Sequence, residues 1–210
     1  MSDNKRIGSA AEMQAATRQL ALQDQRMAQL IEQYGQVDYQ PWQHDLFTAL
    51  VSSIISQQLS IKAAATILGR VKELVKTTDI IDAKILAKQK HEDLRGAGLS
   101  NAKVKYAQGL AEAVVSGELD FVSLAKCDDD EIKETLVQYS GVGYWTAEMF
   151  LLFAIGAPDV LATADLGLKR GMKVFMGLDD YPDEKTFIAE AESWRPYRSI
   201  ASWYLWRLAE

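Results

Sequence analysis

Along nearly the whole chain, apolar residues recur at intervals of three and four, the period of a helix that buries one face. Sandwiches and barrels need strict alternation and frequent turns, and only four prolines and thirteen glycines punctuate 210 residues. The fold class this predicts is all-α. An apolar fraction of 48% supports one large domain or two small lobes sharing a cleft. The spacing predicts one helix from Ala10 to Tyr34, with Leu20, Met27, Leu30 and Ile31 on a stripe and Gly35 as its end. A second runs from about His44 to Ser56, and Ser60 caps a third over Ile61 to Val75. Shorter helices are expected near Asp79–Ala87 and His91–Arg95, and one capped by Ser100 or Asn101 runs to Gly117. Beyond Gly156-Ala157-Pro158, an extended stretch from Asp159 to Ala164 leads into a helix over Leu166–Met176, and a last helix begins near Pro196.

Composition excludes several function classes. The single cysteine, Cys127, can complete neither an internal disulfide nor an iron–sulfur cluster. His44 and His91 are far apart and lack acidic or cysteine company, which argues against a metal centre. Residues 1–6 lack the apolar core of a signal peptide, and no apolar run reaches the roughly 18 residues of a membrane span. The expected place is the cytosol, near the nucleoid in a bacterium or in the nucleus of a eukaryote, with no membrane contact. A net charge of −6 warns against nucleic acid. The acidic residues, however, concentrate at Asp128–Glu131 and Asp179–Glu184, so another face can be locally basic.

The most specific local feature is an acidic helix start at Asp128, then Ile132, Leu136 and Val137, then Ser140-Gly141-Val142-Gly143, then a strongly apolar helix from Tyr144 to Ile155. This is a helix, a hairpin and a helix. Two glycines around a small apolar residue permit a sharp reversal and expose consecutive backbone N–H groups at the next helix start. Such amides suit a phosphate without any Lys or Arg. A plain tight turn between packed helices accounts for the same residues.

Spacing to the next features separates the two. Tyr139-Ser140-Gly141-Val142-Gly143-Tyr144-Trp145-Thr146-Ala147, followed by Ala162-Thr163-Ala164-Asp165 and Lys169-Arg170, resembles the signature of the helix–hairpin–helix DNA base-excision glycosylases. Within that superfamily the match is nearest to the 3-methyladenine DNA glycosylase II, or alkylpurine, branch. Ile54-Ile55-Ser56-Gln57-Gln58-Leu59-Ser60 and Trp194-Arg195-Pro196-Tyr197-Arg198-Ser199 with Trp206 resemble two further motifs of the family, and the resemblance spans roughly residues 40 to 209.

The resemblance implies a two-lobed helical fold with double-stranded DNA in the cleft and hydrolysis of the N-glycosidic bond of alkylated, mainly N3- or N7-methylated, purines. It implies Asp165 as the carboxylate that stabilises the oxocarbenium-like state; the same residue would cap the helix at Leu166. Trp206 would stack on the extruded base, which is cationic when alkylated at a ring nitrogen, with Trp42, Trp145 and Trp203 as weaker pocket candidates. Gln58 occupies the position of the wedge that fills the vacated gap, with Leu59 as the apolar fallback; both Gln57 and Gln58 equally suit a helix end. The best-known bacterial member has an apolar wedge there, so Gln58 is a departure. A second departure is that nothing before Tyr39 resembles that enzyme's β-rich N-terminal lobe.

Relatives that also cut the strand carry a lysine two residues after the second glycine of the hairpin, where this chain has Trp145, so no lyase step is expected. The amides of Gly141, Gly143, Trp145 and Thr146, with Val142 between them, would anchor phosphate. Lys169, Arg170 and Lys173 would meet phosphates or simply be solvated. The carbonyls of Val137, Tyr139 and Val142 would hold a structural sodium or potassium ion. Otherwise no cofactor is expected, and the protein should act as a monomer without an obligate protein partner. The expected domains are an N-terminal helix (1–38) packing on the fold and joining the hairpin lobe, a lobe with the wedge loop (39–125) and the hairpin lobe itself (126–210), which carries Asp165 and the C-terminal helix. The rival readings are a non-catalytic binder of DNA structure or damage, and a purely structural helical protein.

Overall fold

The computed structural model describes residues 6–38 and 45–210. Among them all regular structure is helical, and no helix is long and apolar enough to cross a membrane. In chain order the elements are α1 (Ala10–Gln23), α2 (Gln25–Tyr34), α3 (Leu46–Ser56), α4 (Ile61–Leu74), α5 (Ala83–Ala87), α6 (His91–Ala97) and α7 (Asn101–Ser116). There follow α8 (Phe121–Leu124), α9 (Asp129–Leu136), α10 (Tyr144–Phe150), α11 (Leu166–Met176), α12 (Glu184–Ala191) and α13 (Arg198–Leu208). A π-helical turn, Leu151–Ile155, continues α10, and a 3₁₀ turn, Glu192–Trp194, follows α12.

Caps explain most boundaries. Ser60 and Ser100 accept from the amides of Ala63 and Lys103 to open α4 and α7. Asp128 and Glu131 form a reciprocal capping box at α9, whose first turn is acidic as the helix dipole favours. The continuous helix expected over Ala10–Tyr34 is instead α1 and α2. Asp24 adopts extended backbone between them, and its carboxylate accepts from the amides of Arg26 and Met27 and from the Trp194 indole at 2.9 Å. A buried donor 170 residues away thus pulls Asp24 out of the helix. In the stretch 159–164, residues 160–162 have no regular structure between turns at 159 and at 163–164, and α5 starts at Ala83 because Asp82 caps it. α8 and α12 are additional short helices, each opened by an aspartate.

The chain divides into two compact units, Met1–Pro41 with Leu151–Glu210, and Trp42–Phe150. The division falls at Phe150, inside the helix that follows the hairpin, rather than at 125/126. The hairpin belongs with the residues before it, and the N-terminal helices belong with the C-terminal segment.

In the first unit α13 packs along α11, and a Cβ on Gly171 would collide with the backbone of Leu205. Leu20, Met27, Leu168, Met172, Trp194, Ile200 and Tyr204 fill the core. The Tyr204 hydroxyl donates to the carbonyl of Gly35 at 2.8 Å, and burial pushes its pKa up to about 12. In the second unit α3, α4, α5 and α7 enclose Leu50, Ile54, Val71, Ile81, Leu86 and Leu110.

Candidate active site

The residues singled out from the sequence form two groups, one in each unit. In the first unit Asp165 caps α11, and its Oδ1 accepts from the amide of Leu168 at 2.7 Å. The same oxygen accepts from Nε1 of Trp206 at 2.8 Å. The cap and the catalytic candidate are therefore one residue, and it is bonded directly to the candidate base-stacking residue.

Three neighbours fix that pair. The Trp206 ring stacks on Phe153, with centroids 5.7 Å apart and planes 22° from parallel, and Phe153 lies in the π-helical turn. Widening one helical turn re-aims its side chains, which is where π turns are commonly found at functional sites. Gly167 leaves the room: a Cβ there would stand 2.9 Å from Trp206 Cδ1 and 3.1 Å from Asp165 Oδ1. The loop before Asp165 is gripped from the start of α13. Buried Ser199 donates to the carbonyl of Ala157 at 2.6 Å and accepts from the amide of Val160 at 2.9 Å. Arg198 forms a bidentate pair with Asp159, Nε to Oδ1 at 2.7 Å and NH2 to Oδ2 at 3.0 Å. One helix thus holds both ends of the segment that presents the carboxylate. The sequence did not single out Phe153 or Gly167, and it offered Ser199 as part of a motif without a role. A glycine two residues after an N-cap was the one available signal.

Trp203, three residues from Trp206, has different partners. It is 8% exposed, donates from Nε1 to Asp38 at 3.2 Å and meets Tyr204 edge-on, so it belongs to the core rather than to a pocket. Trp42 and His44 lie outside the described residues. Lys169 is half-buried and Arg170 exposed on α11, while the Lys173 ammonium sits 5.8 Å from the Tyr181 ring centroid. His91 Nε2 is 3.2 Å from Asn101 Oδ1, and the Cys127 thiol donates to the carbonyl of Ser123 at 3.7 Å.

In the second unit the hairpin closes with the Val142 amide donating to the Tyr139 carbonyl at 3.0 Å, and α10 opens with Ala147 donating to Gly143 at 3.0 Å. Of the two glycines only Gly141 needs to be one. Its φ is +91° and a Cβ would strike the Tyr106 ring, whereas Gly143 has no positive φ and no atom within 4 Å of an added Cβ. Thr146 is buried and Trp145 is 42% exposed.

The candidate wedge loop, 56–60, belongs to the same unit. Gln57 donates from Nε2 to the carbonyl of Gly141 at 2.9 Å and to Thr146 Oγ1 at 3.1 Å, and Leu59 is exposed. A pocket of about 470 Å³ opens between Gln57, Gln58, Lys103, Tyr106, Gly141 and Gly143. Carbonyl oxygens suit a hard monovalent cation chemically, and Val137, Tyr139 and Val142 present theirs within the six residues of the reversal. The Tyr139 carbonyl already accepts the turn's own amide and would share its second lone pair.

The family model for HhH-GPD superfamily base excision DNA repair proteins matches residues 51–196, which include the wedge loop, the hairpin and Asp165. The chain belongs to the HhH-GPD superfamily. A relative from Schizosaccharomyces pombe, DNA-3-methyladenine glycosylase 1, is 30% identical over 165 residues, covering 78% of this chain and 72% of its own. The crystal structure of a DNA-3-methyladenine glycosidase from Bacillus halodurans is 40% identical with a TM-score of 0.82, covering 92% of this chain and 88% of that one. The Schizosaccharomyces pombe 3-methyladenine DNA glycosylase Mag1, in complex with abasic DNA, has the same TM-score at 27% identity, over 92% of this chain and 95% of its own. Against a longer Bacillus subtilis relative, 30% identical over 172 residues, the chain spans 60% of the length. Membership in HhH-GPD establishes the fold as the two-lobed helical one that the motifs implied.

Proposed function

We propose that the protein is a monofunctional DNA glycosylase that removes N3- and N7-alkylated purines from double-stranded DNA by hydrolysis and leaves an abasic site. The observation that carries this reading is the hydrogen-bonded pair of Asp165 and Trp206, the two residues to which the motif resemblance assigns catalysis and base stacking. An alkylated purine is cationic and departs as a neutral base, so no general acid is needed. The bond from C1′ to the base nitrogen breaks and its electron pair leaves on the base. Positive charge then develops on the sugar, which the Asp165 carboxylate stabilises. Water adds at C1′, and its proton passes to Asp165 or to solvent.

The indole face of Trp206 is suited to a desolvated cation, an interaction worth about 2 kcal/mol. DNA would lie across the hairpin, with the amides around Gly141 and Gly143 anchoring phosphate and Lys169 and Arg170 adding charge. The carbonyls of Val137, Tyr139 and Val142 would hold a sodium or potassium ion, which would supply positive charge toward phosphate. Gln58 would fill the vacated gap. Trp145, exposed where strand-cutting relatives carry their amine, supports a mechanism without a Schiff base. The names of the relatives support the substrate class.

The test is incubation with duplexes carrying 7-methylguanine, 3-methyladenine, ethenoadenine or hypoxanthine, read before and after mild alkali. Breaks only after alkali, lost in Asp165→Asn while affinity for a duplex with an abasic-site analogue persists, are the expected result. Duplex binding without base release by the wild type from any substrate would instead favour a non-catalytic damage binder.

A further inference from the structure

The wedge loop holds a conformational choice that its sequence does not favour. Ser56-Gln57-Gln58-Leu59 is a β-turn closed by the Leu59 amide donating to the Ser56 carbonyl at 3.2 Å. Gln57 has φ −51° and ψ 135°, and Gln58 has φ +57°, the signature of type II. That type places its third residue in the left-handed region and ordinarily takes glycine or asparagine there. Glutamine has no such preference. Types I and II differ by a flip of the central peptide, here the one joining Gln57 to Gln58. Whatever binds the Gln57 carbonyl therefore selects the turn.

Lys103 does so. From the first turn of α7 its ammonium donates to the Gln57 carbonyl and, at 2.8 Å, to the Ile55 carbonyl left open near the end of α3. Burial lowers its pKa, the mark of an ammonium drawn in from solvent. The Gln57 side chain fastens the other side of the turn to Gly141 and Thr146.

We propose that Lys103 is a positioning residue for the gap-filling side chain: by holding the Gln57 carbonyl it fixes the type II turn and so aims Gln58. This rests on the proposed extrusion of a nucleotide. It also explains how a polar wedge can work, since a turn fixed in advance reduces the conformational entropy that a glutamine loses on insertion.

The experiment is a double-substitution cycle of Lys103→Met and Gln58→Gly. It is read by single-turnover release of 7-methylguanine and by the fluorescence of 2-aminopurine placed beside the lesion, with thermal melting to confirm folding. Glycine keeps the turn and removes the side chain. Lys103→Met should slow release at least tenfold and reduce the fluorescence rise with Gln58 present, yet change release less than twofold in the Gln58→Gly background. Equal slowing in both backgrounds, or none with Gln58 present, overturns the proposal. If the wild type releases no base, the activity reading fails, and exchange of the Leu59 amide still tests the turn. Exchange at least tenfold faster in Lys103→Met supports Lys103 as the lock, and unchanged exchange overturns it.

Discussion

A single oxygen, Asp165 Oδ1, receives both the Leu168 amide and the Trp206 indole. Trp206 therefore orients the carboxylate, in addition to the base stacking proposed for it. Trp206→Phe keeps an aromatic face and removes the donor; kcat should fall by roughly tenfold to a hundredfold with little change in affinity for an abasic-site analogue, because misplacement of a catalytic group costs on that order. Steady-state kinetics beside a binding titration separate the two effects. Gly167→Ala puts a methyl 2.9 Å from the Trp206 ring and should give a similar kinetic defect without loss of the fold, checked by circular dichroism and melting. Asp165 was legible in the sequence as a cap and, through the family motif, as the catalytic candidate. The partition of Trp203 from Trp206 was not: residues three apart on a helix share a face broadly, and only Asp38 and Phe153, both distant in sequence, decide which indole is core and which is site.

Among the elements, some starts set by a local cap were legible and others, such as those of α5, α8 and α12 at Asp82, Asp120 and Asp183, were not. α4, α7 and α9 each begin one residue after the predicted serine or aspartate. Where a distant partner intervenes, the pattern misleads. The apolar stripe runs unbroken across Asp24, yet the Trp194 indole and the α2 amides capture its carboxylate and split the helix. Burial alone would raise the Asp24 pKa, but the bond from Trp194, those from the Arg26 and Met27 amides and the Arg26 charge together lower it. A lowered native pKa means stability that is present above the unfolded value, about 4, and lost as pH falls through the native one. The melting-temperature gap between wild type and Asp24→Asn should therefore be constant above about pH 5 and shrink below about pH 4. Gly171 marks the closest approach of α11 and α13, so Gly171→Ala should destabilise by about 1–3 kcal/mol and lower the melting temperature by several degrees. The π-helical turn had no local sequence signal, since its apolar residues fit an α-helix equally well.

For the whole molecule, a net charge of −6 coexists with membership in a DNA repair family. The proposed backbone-amide anchor would reconcile them, because amides hold phosphate without adding cations. It also sets a measurable expectation: with only two or three lysines or arginines displacing counterions, log affinity for duplex DNA should fall with log salt at a slope of about −2 to −3. A slope beyond about −6 would mean an extensive cationic surface. The all-α class and the family were readable from periodicity and motif order. The division of the chain was not, because it falls within a continuous helix where composition does not change.

That division makes one unit discontinuous: Met1–Pro41 needs Leu151–Glu210 to complete it, while Trp42–Phe150 is a single uninterrupted stretch. On the ribosome, the middle stretch can collapse as soon as it emerges, whereas α1 and α2 must wait for the last sixty residues before their apolar stripe is covered. Nascent chains stalled after Phe150 should therefore protect the middle from protease while leaving the amino-terminal helices open to cleavage and to chaperones.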